Sequence, residues 1–252
     1  MTLDETLEKL VKLKLHTMAT ALREIAASSP RHALSFEEKL GMMVDRELSE
    51  RDNRKLDRRI KEAKLPLSAS PEDVACDATR GIERANLRQL ATCDWVKAKQ
   101  NVLITGRTGV GKSHLAAALA KAACRRGFRA HYSRVSRLLQ ELAVARADGS
   151  YASLLIKISR VDVLVLDDFL IAPLKDSERR DLLEILEDRY DHSSTIVTSQ
   201  RDNKTWHEAL GEPTVADAIC DRLVHNAHVI NLTGPSIRKN KGLTAETKTS
   251  KN

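Results

Sequence analysis

Gly106-Arg107-Thr108-Gly109-Val110-Gly111-Lys112-Ser113 fits the spacing G-x-x-x-x-G-K-[ST], in which a glycine-rich turn wraps a chain of phosphates. Glycines are needed because the backbone must approach the anion closely. Consecutive N–H groups and the positive end of a following helix then face it. On this reading Lys112 reaches the β- and γ-phosphates and the Ser113 hydroxyl ligates Mg²⁺, with residues 106–114, His114 included, lining the nucleotide. A second constellation points to the same chemistry. Val161-Asp162-Val163-Leu164-Val165-Leu166 is an apolar run ending in Asp167-Asp168, which puts two carboxylates at the C-terminal end of a buried strand, where open α/β sheets bind ligands. Asp167 is expected to hold Mg²⁺ through its water shell, and Asp168 to orient and deprotonate the attacking water. A single acid in that place would more simply cap the next segment; two in succession after such a run favour the metal reading. Thr195-Ile196-Val197-Thr198 ends in Ser199-Gln200, a polar tip at the edge of the same crevice. The expected ligands are ATP and Mg²⁺.

These groups need a scaffold, and the flanking patterns supply one. Asn101-Val102-Leu103-Ile104-Thr105 reads as a buried parallel strand, and the alanine-rich stretch from His114 to Ala123 as a helix. Arg129-Ala130-His131-Tyr132-Ser133 reads as a further strand, which identifies the P-loop class with an extra strand between the two motifs. At 252 residues the chain can bury a full α/β core. About 100 residues remain for a second domain. The beginning of the chain is helical. Thr2-Leu3-Asp4-Glu5 has the form of a capping box, and Leu3, Leu7, Leu10, Val11, Met18, Leu22 and Ile25 recur on one face of a helix that Ser28-Ser29-Pro30 ends. Ser35-Phe36-Glu37-Glu38 opens a longer helix that runs to about Lys64, where Leu65-Pro66 stops it. A polar connector follows, and Ile82 to Ala98 is expected to form one short helix. The expected organisation is therefore a helical domain over 1–66, a connector with a short helix over 67–100, the ATPase domain over 101–239, and a polar, disordered tail over 240–252.

The four cysteines, Cys76, Cys93, Cys124 and Cys220, are scattered singly, so reduced thiols are expected instead of bridges or zinc. His225 and His228 read as helix-end capping and packing, not as metal ligands. No apolar run is long enough for a membrane span and no leader is visible, so a cytoplasmic protein without a membrane partner is expected. The net charge of +7 calls for a polyanionic partner, and its distribution is more telling than its size. Ser113 to Gln140 contains no acid but includes Lys121, Arg125, Arg126, Arg129, Arg134 and Arg137. A second cluster, Arg54, Lys55, Arg58, Arg59, Lys61 and Lys64, recurs at helical spacing. DNA contact is expected through Arg54, Lys55, Arg58, Arg59, Arg125 and Arg126. The alternative is a solvated helix face carrying i,i+4 pairs, since Asp57 and Glu62 are interleaved. With aromatics at 3%, base stacking is a poor option, and contact with the duplex backbone is favoured over single strands.

Several stretches together resemble the IstB family, AAA+ ATP-binding helpers encoded with the transposases of certain bacterial insertion sequences and relatives of the DnaC and DnaA ATPases. They are Leu34-Ser35-Phe36-Glu37-Glu38, Arg54-Lys55-Leu56-Asp57-Arg58-Arg59-Ile60, Leu90-Ala91-Thr92-Cys93-Asp94-Trp95, Trp206-His207-Glu208, the long segment over 216–228, and Gly234-Pro235-Ser236-Ile237-Arg238-Lys239. The resemblance covers almost the whole chain. It implies an AAA+ core, a five-stranded parallel sheet between helices without a C-terminal lid domain, behind a small all-α domain. Gln200 becomes the first choice for the sensor of the γ-phosphate, Ser199 the second. Arg222, which read bare is half of a surface ion pair with Asp221, matches an arginine finger placed in trans on a neighbouring subunit's ATP. Arg238 matches a second sensor, and residues 137–160 match a helical insertion that pushes subunits into a helical array. The implied function is an ATPase that self-associates on double-stranded DNA with ATP and assists its cognate transposase in choosing or engaging target DNA. The runner-up is a DnaC-like helicase loader; a metabolic kinase would need an acceptor pocket and a lid, and no sequence for either is visible. The chain departs from the family at Arg107-Thr108, where two prolines are usual, at Gly234-Pro235-Ser236, where the family has Gly-Glu-Ser, and at Phe169-Leu170, where an aromatic is followed by glycine. Leu170 is expected to cost the loop a flexible position and slow hydrolysis.

Overall fold

The computed structural model describes residues 2–27, 34–66, 68–76 and 78–237. Two compact units divide the chain, 1–58 and 59–252. The first contains helix α1 (Leu3–Lys12), helix α2 (His16–Ala27) and most of helix α3 (Phe36–Glu62). The boundary between the units lies inside α3, ahead of the stop at Leu65-Pro66.

The first apolar face, expected as one helix, is two. Lys14 takes a left-handed φ of 59°, and the N–H groups of Leu15 and Lys14 donate back to the Leu10 and Val11 carbonyls. That pair of bonds is a Schellman stop, with a lysine where glycine is usual. Both expected capping boxes form: Thr2 with Glu5, and Ser35 with Glu38. Glu47 of α3, almost fully buried, accepts from the Thr17 and Met18 N–H groups at 2.9 and 3.1 Å and so caps α2. Arg51 beside it, followed by those two N–H groups, holds the Glu47 carboxyl below the usual range despite its burial.

The second unit is built on a five-stranded parallel sheet of β1 (Asn101–Gly106), β2 (Ala130–Arg134), β3 (Val163–Phe169), β4 (Ser194–Ser199) and β5 (Ala227–Leu232), in the order β2-β3-β4-β1-β5. β4 stands between the phosphate-loop strand and the acid-bearing strand, whereas the extra strand expected over 129–133 is β2, at one edge of the sheet. Strands buried on both faces lose alternation and read as continuous apolar runs, which is why 102–104 and 163–166 look as they do. Helix α6 (Lys112–Arg125) packs on β1 to β4, and its buried alanines let its backbone lie close to the sheet. A second core cluster joins Leu103, Leu164, Leu166, Phe169 and Val197 to the helices α7 (Val135–Asp148), α8 (Tyr151–Ser159), α9 (Asp176–Arg189), α10 (Trp206–Leu210) and α11 (Pro213–Val224). The segment expected as an insertion over 137–160 forms α7 and α8.

Ile82 to Ala98, expected as one helix, is also broken. Helix α4 (Arg84–Ala91) and the single turn α5 (Asp94–Lys97) are separated by Cys93, which is left-handed at φ 63°. Cys93 is fully buried, and burial pushes its thiol up to about 11; it and the other three cysteines are free thiols. The connector is held on the second unit: Lys121 donates to Ser70 Oγ at 2.9 Å and Arg125 pairs with Glu72 at 2.8 Å. Among the described residues Arg189 is the largest buried charged side chain. Its guanidinium donates to the carbonyls of Ile158, Val161 and Ser194, joining the end of α9 to α8 and β4. Burial pulls its pKa down to about 9, so it stays charged at neutral pH. No helix among the described residues is long and apolar enough to cross a membrane.

Candidate functional site

The loop over 106–111 leaves β1 and enters α6 through three glycines with positive φ: 141° at Gly106, 86° at Gly109 and 107° at Gly111. A Cβ on Gly106 would stand 2.2 Å from the Leu232 carbonyl oxygen, so nothing larger fits. Gly111 is the N-cap of α6 and, lacking a side chain, gives the first-turn N–H groups no cap. Donors left in this way at a helix start are an anion site. Lys112 is buried at the same point and donates to the Gly106 and Arg107 carbonyls at 2.8 and 3.0 Å. The donor set fits a polyphosphate.

Three hydroxyls converge on Asp167, which is 1% exposed. Ser113 donates to both of its oxygens at 2.9 and 3.0 Å, Tyr132 to Oδ2, and Thr198 to Oδ1. Sheet register produces this meeting. Tyr132 pairs with Val165, and Leu166 with Val197, so Tyr132, Asp167 and Thr198 share one face of the sheet. Burial first, then the bond to Asp167, pushes the Tyr132 phenol well above the ordinary tyrosine range, so it acts here as a donor. Among the described residues no group of three His, Cys, Asp or Glu side chains could hold a metal. One hydroxyl and one carboxylate suit Mg²⁺ beside a nucleotide, because Mg²⁺ completes its octahedron with phosphate oxygens and water.

Asp168 would point to the opposite face if β3 stayed regular. Instead the ladder slips between Leu166 and Phe169, and Asp168 is left-handed at φ 60°, a bulge that re-aims its side chain. Its N–H donates to Thr198 Oγ1 at 3.1 Å and its carboxylate lies 3.9 Å from Arg134 Nε. Gln200, at the tip of β4, accepts from Thr108 Oγ1 at 2.8 Å, which ties the expected sensor to the phosphate loop. Ser199, the second choice, is buried and donates to the Phe169 carbonyl at 2.9 Å. Tyr132 and Thr198 were missed as site residues. Thr198 carried a signal, a polar residue at the end of an apolar run; Tyr132 carried none without the register.

Leu170 is left-handed at φ 55° and 3% exposed. The backbone costs an L-residue about 1–2 kcal/mol there, whereas removing a buried leucine side chain costs about 2–5 kcal/mol. Packing is the larger effect, so Leu170→Gly is expected to destabilise the fold by about 1–3 kcal/mol. Urea denaturation checks this, and a higher midpoint in the variant would reverse the order of the two effects.

The remaining expected site residues lie elsewhere. Arg222, near the end of α11, pairs with Glu187 at 2.5 Å and lies over the Tyr190 ring; its expected partner Asp221 is at 3.9 Å. Asn101 Nδ2 donates to the Arg222 carbonyl at 2.8 Å, which fixes this arginine at the start of β1, the end opposite the phosphate loop. Arg238 lies outside the described residues, as does the tail over 240–252. In the first unit Arg54 and Lys55 are exposed on α3 and pair with Glu50 and Asp52; Arg58 is exposed there too. In the second unit Arg59 lines a cavity of about 370 Å³ with Lys64, Arg129, Lys157 and Arg160. Arg125 and Arg126 stand at the far end of α6 from the phosphate loop, Arg125 paired with Glu72. His225 caps the C-terminus of α11, and His228 contacts Gln100 at 2.9 Å, in keeping with capping and packing.

Comparison with known proteins adds kinship to this geometry. The model of the IstB-like ATP binding protein family matches residues 8–245. An insertion sequence ATP-binding protein of Sinorhizobium fredii, y4pL, is 49% identical over 236 residues, covering 94% of this chain and 96% of that one. The insertion sequence IS1162 ATP-binding protein of Pseudomonas fluorescens is 44% identical over 201 residues, 79% of this chain and 87% of that one. Among solved structures, the fold is similar to AMPPCP-bound DnaA from Aquifex aeolicus, with a TM-score of 0.57, 20% identity, and 74% of this chain and 56% of that one covered. It is also similar to the DnaC helicase loader, with a TM-score of 0.56, 23% identity, and 68% and 100% covered.

Proposed function

The chain belongs to the family of IstB-like ATP-binding proteins, and we propose that it is an AAA+ ATPase that assembles on duplex DNA with ATP and assists a transposase in engaging its target. The observation that carries the reading is the Asp167 carboxylate held against Ser113 at the mouth of α6, with Gln200 on the phosphate loop beside it. Lys112 is the cation for the β- and γ-phosphates, Ser113 and Asp167 hold Mg²⁺, Asp168 orients and deprotonates water, and Gln200 senses the γ-phosphate. Bound Mg²⁺ neutralises charge that develops on the transferred phosphoryl group. Arg222 acts on the ATP of a neighbouring copy, and Arg238 is the second sensor. The names of the relatives, all sharing the insertion-sequence description, favour transposition over helicase loading.

DNA contact is proposed through Arg54, Lys55, Arg58, Arg59, Arg125 and Arg126. Each neutralised phosphate contributes about −0.9 to the slope of log K against log salt, so replacing Arg54, Arg58 and Arg59 by alanine is expected to flatten that slope by about 2.7. Fluorescence anisotropy with duplex and single-stranded oligonucleotides, with ATP, ADP or neither, is the measurement. Binding to duplex is expected to need ATP and to weaken alike on all sequences in the variant. A preference for single strands, or affinity indifferent to salt, overturns the duplex reading and favours the loader.

A further inference from the structure

Tyr132 lies in the middle of β2, one of the two edge strands of this sheet, and makes two bonds in different directions. Its hydroxyl donates to Asp167 Oδ2. Its main-chain N–H donates outward to the Ala63 carbonyl at 2.8 Å. An edge strand presents unpaired N–H groups to its surroundings, and here the chain just past α3 takes one of them. Ala63 has no exposed surface, so the contact is packed as well as bonded.

We propose that Tyr132 positions the metal-holding carboxylate of Asp167 and ties the end of α3 to it, an inference that rests on the Mg²⁺·ATP reading of the site. A carboxylate that carries a metal must be fixed in rotation, or part of the binding free energy goes into ordering it. Asp167 has three hydroxyl anchors. Ser113 is the one that must turn toward a metal, which leaves Tyr132 and Thr198 as the anchors that persist. Removing the Tyr132 hydroxyl leaves one. Groups that orient a metal ligand without touching the metal are worth about 10–100-fold in affinity, and with Thr198 still in place the lower end is expected. Because the same residue carries the bond to Ala63, a shift of the ring is felt by the β2 backbone at the point where α3 ends.

The test uses the full-length chain and its Tyr132→Phe variant, which keeps the ring and its packing. A fluorescent ATP analogue is bound in EDTA and then titrated with Mg²⁺, and amide exchange is followed across 130–134 with and without Mg²⁺ and nucleotide. Affinity in EDTA is expected to be unchanged and the thermal midpoint to fall by only a few degrees, as for one lost buried hydrogen bond, while half-saturation by Mg²⁺ rises by about 10-fold. In the unaltered chain Mg²⁺·nucleotide is expected to slow exchange of the Tyr132 amide at least about 3-fold, and in the variant that protection is lost. Equal Mg²⁺ half-saturation in the two proteins, or protection that survives the substitution, overturns the inference and leaves the ATP reading standing. A wild-type chain that binds no nucleotide overturns both.

Discussion

An Arg222→Ala protein is expected to hydrolyse ATP about 10³-fold more slowly than the unaltered chain, within the range of about 10³–10⁵ that arginine fingers supply. Mixing it with a Lys112→Ala protein is expected to restore part of the lost activity. The geometry carries the argument. The Arg222 carbonyl is bonded to Asn101 at the start of β1, and the phosphate loop begins at Gly106, where β1 ends. Five steps of strand at about 3.3 Å put the two about 16 Å apart, beyond the reach of one side chain. The guanidinium meanwhile pairs with Glu187 and lies over Tyr190, and its buried Nε has no hydrogen-bond partner. Such a group can act on ATP only if the ATP belongs to another copy. In the mixture, one kind of interface pairs an intact phosphate loop with an intact Arg222, and steady-state phosphate release against mixing ratio detects it. Activity that stays flat at every ratio would count against a site shared between subunits.

The parts legible in the sequence were those whose physics is local. A glycine loop before a helix, two acids after an apolar run and two capping boxes each depend on neighbours within a few residues, and each forms as read. The breaks at Lys14 and Cys93 were invisible, since a lysine and a cysteine gave no sign of a left-handed backbone that packing imposes. Arg189 reads as one more charge on a charged helix, yet it is 1% exposed, because three carbonyls from separate elements converge on it only after folding. Tyr132 belongs with it. Its bond to Asp167 spans 35 residues and depends on a ladder register that composition and spacing do not encode. Arg54 and Lys55 were legible in kind: exposed on α3, they pair locally along the helix with Glu50 and Asp52.

Asp168 and Lys112 should separate hydrolysis from binding. Asp168→Asn is expected to leave nucleotide affinity within about 3-fold and to lower turnover by about 10²–10⁴, the usual contribution of a positioned general base. The substitution suits the site. Asparagine adopts the left-handed region with little strain, so the bulge at φ 60° and the N–H bond to Thr198 survive it. What is lost is the carboxylate that can accept a proton from water. Lys112→Ala removes a buried ammonium at the start of α6, where the polyphosphate charge is greatest, and affinity is expected to fall by about 100-fold or more, as for a charge-assisted contact in a dry site. Asp167→Asn gives the contrast, because one of its two acceptor oxygens becomes a donor facing hydroxyls that already donate. That variant should lose Mg²⁺-dependent binding together with turnover. Titration with a fluorescent nucleotide beside phosphate release reads both quantities on each protein. If Asp168→Asn and Lys112→Ala lose affinity equally, Asp168 holds the nucleotide as Lys112 does and its assignment to water is wrong.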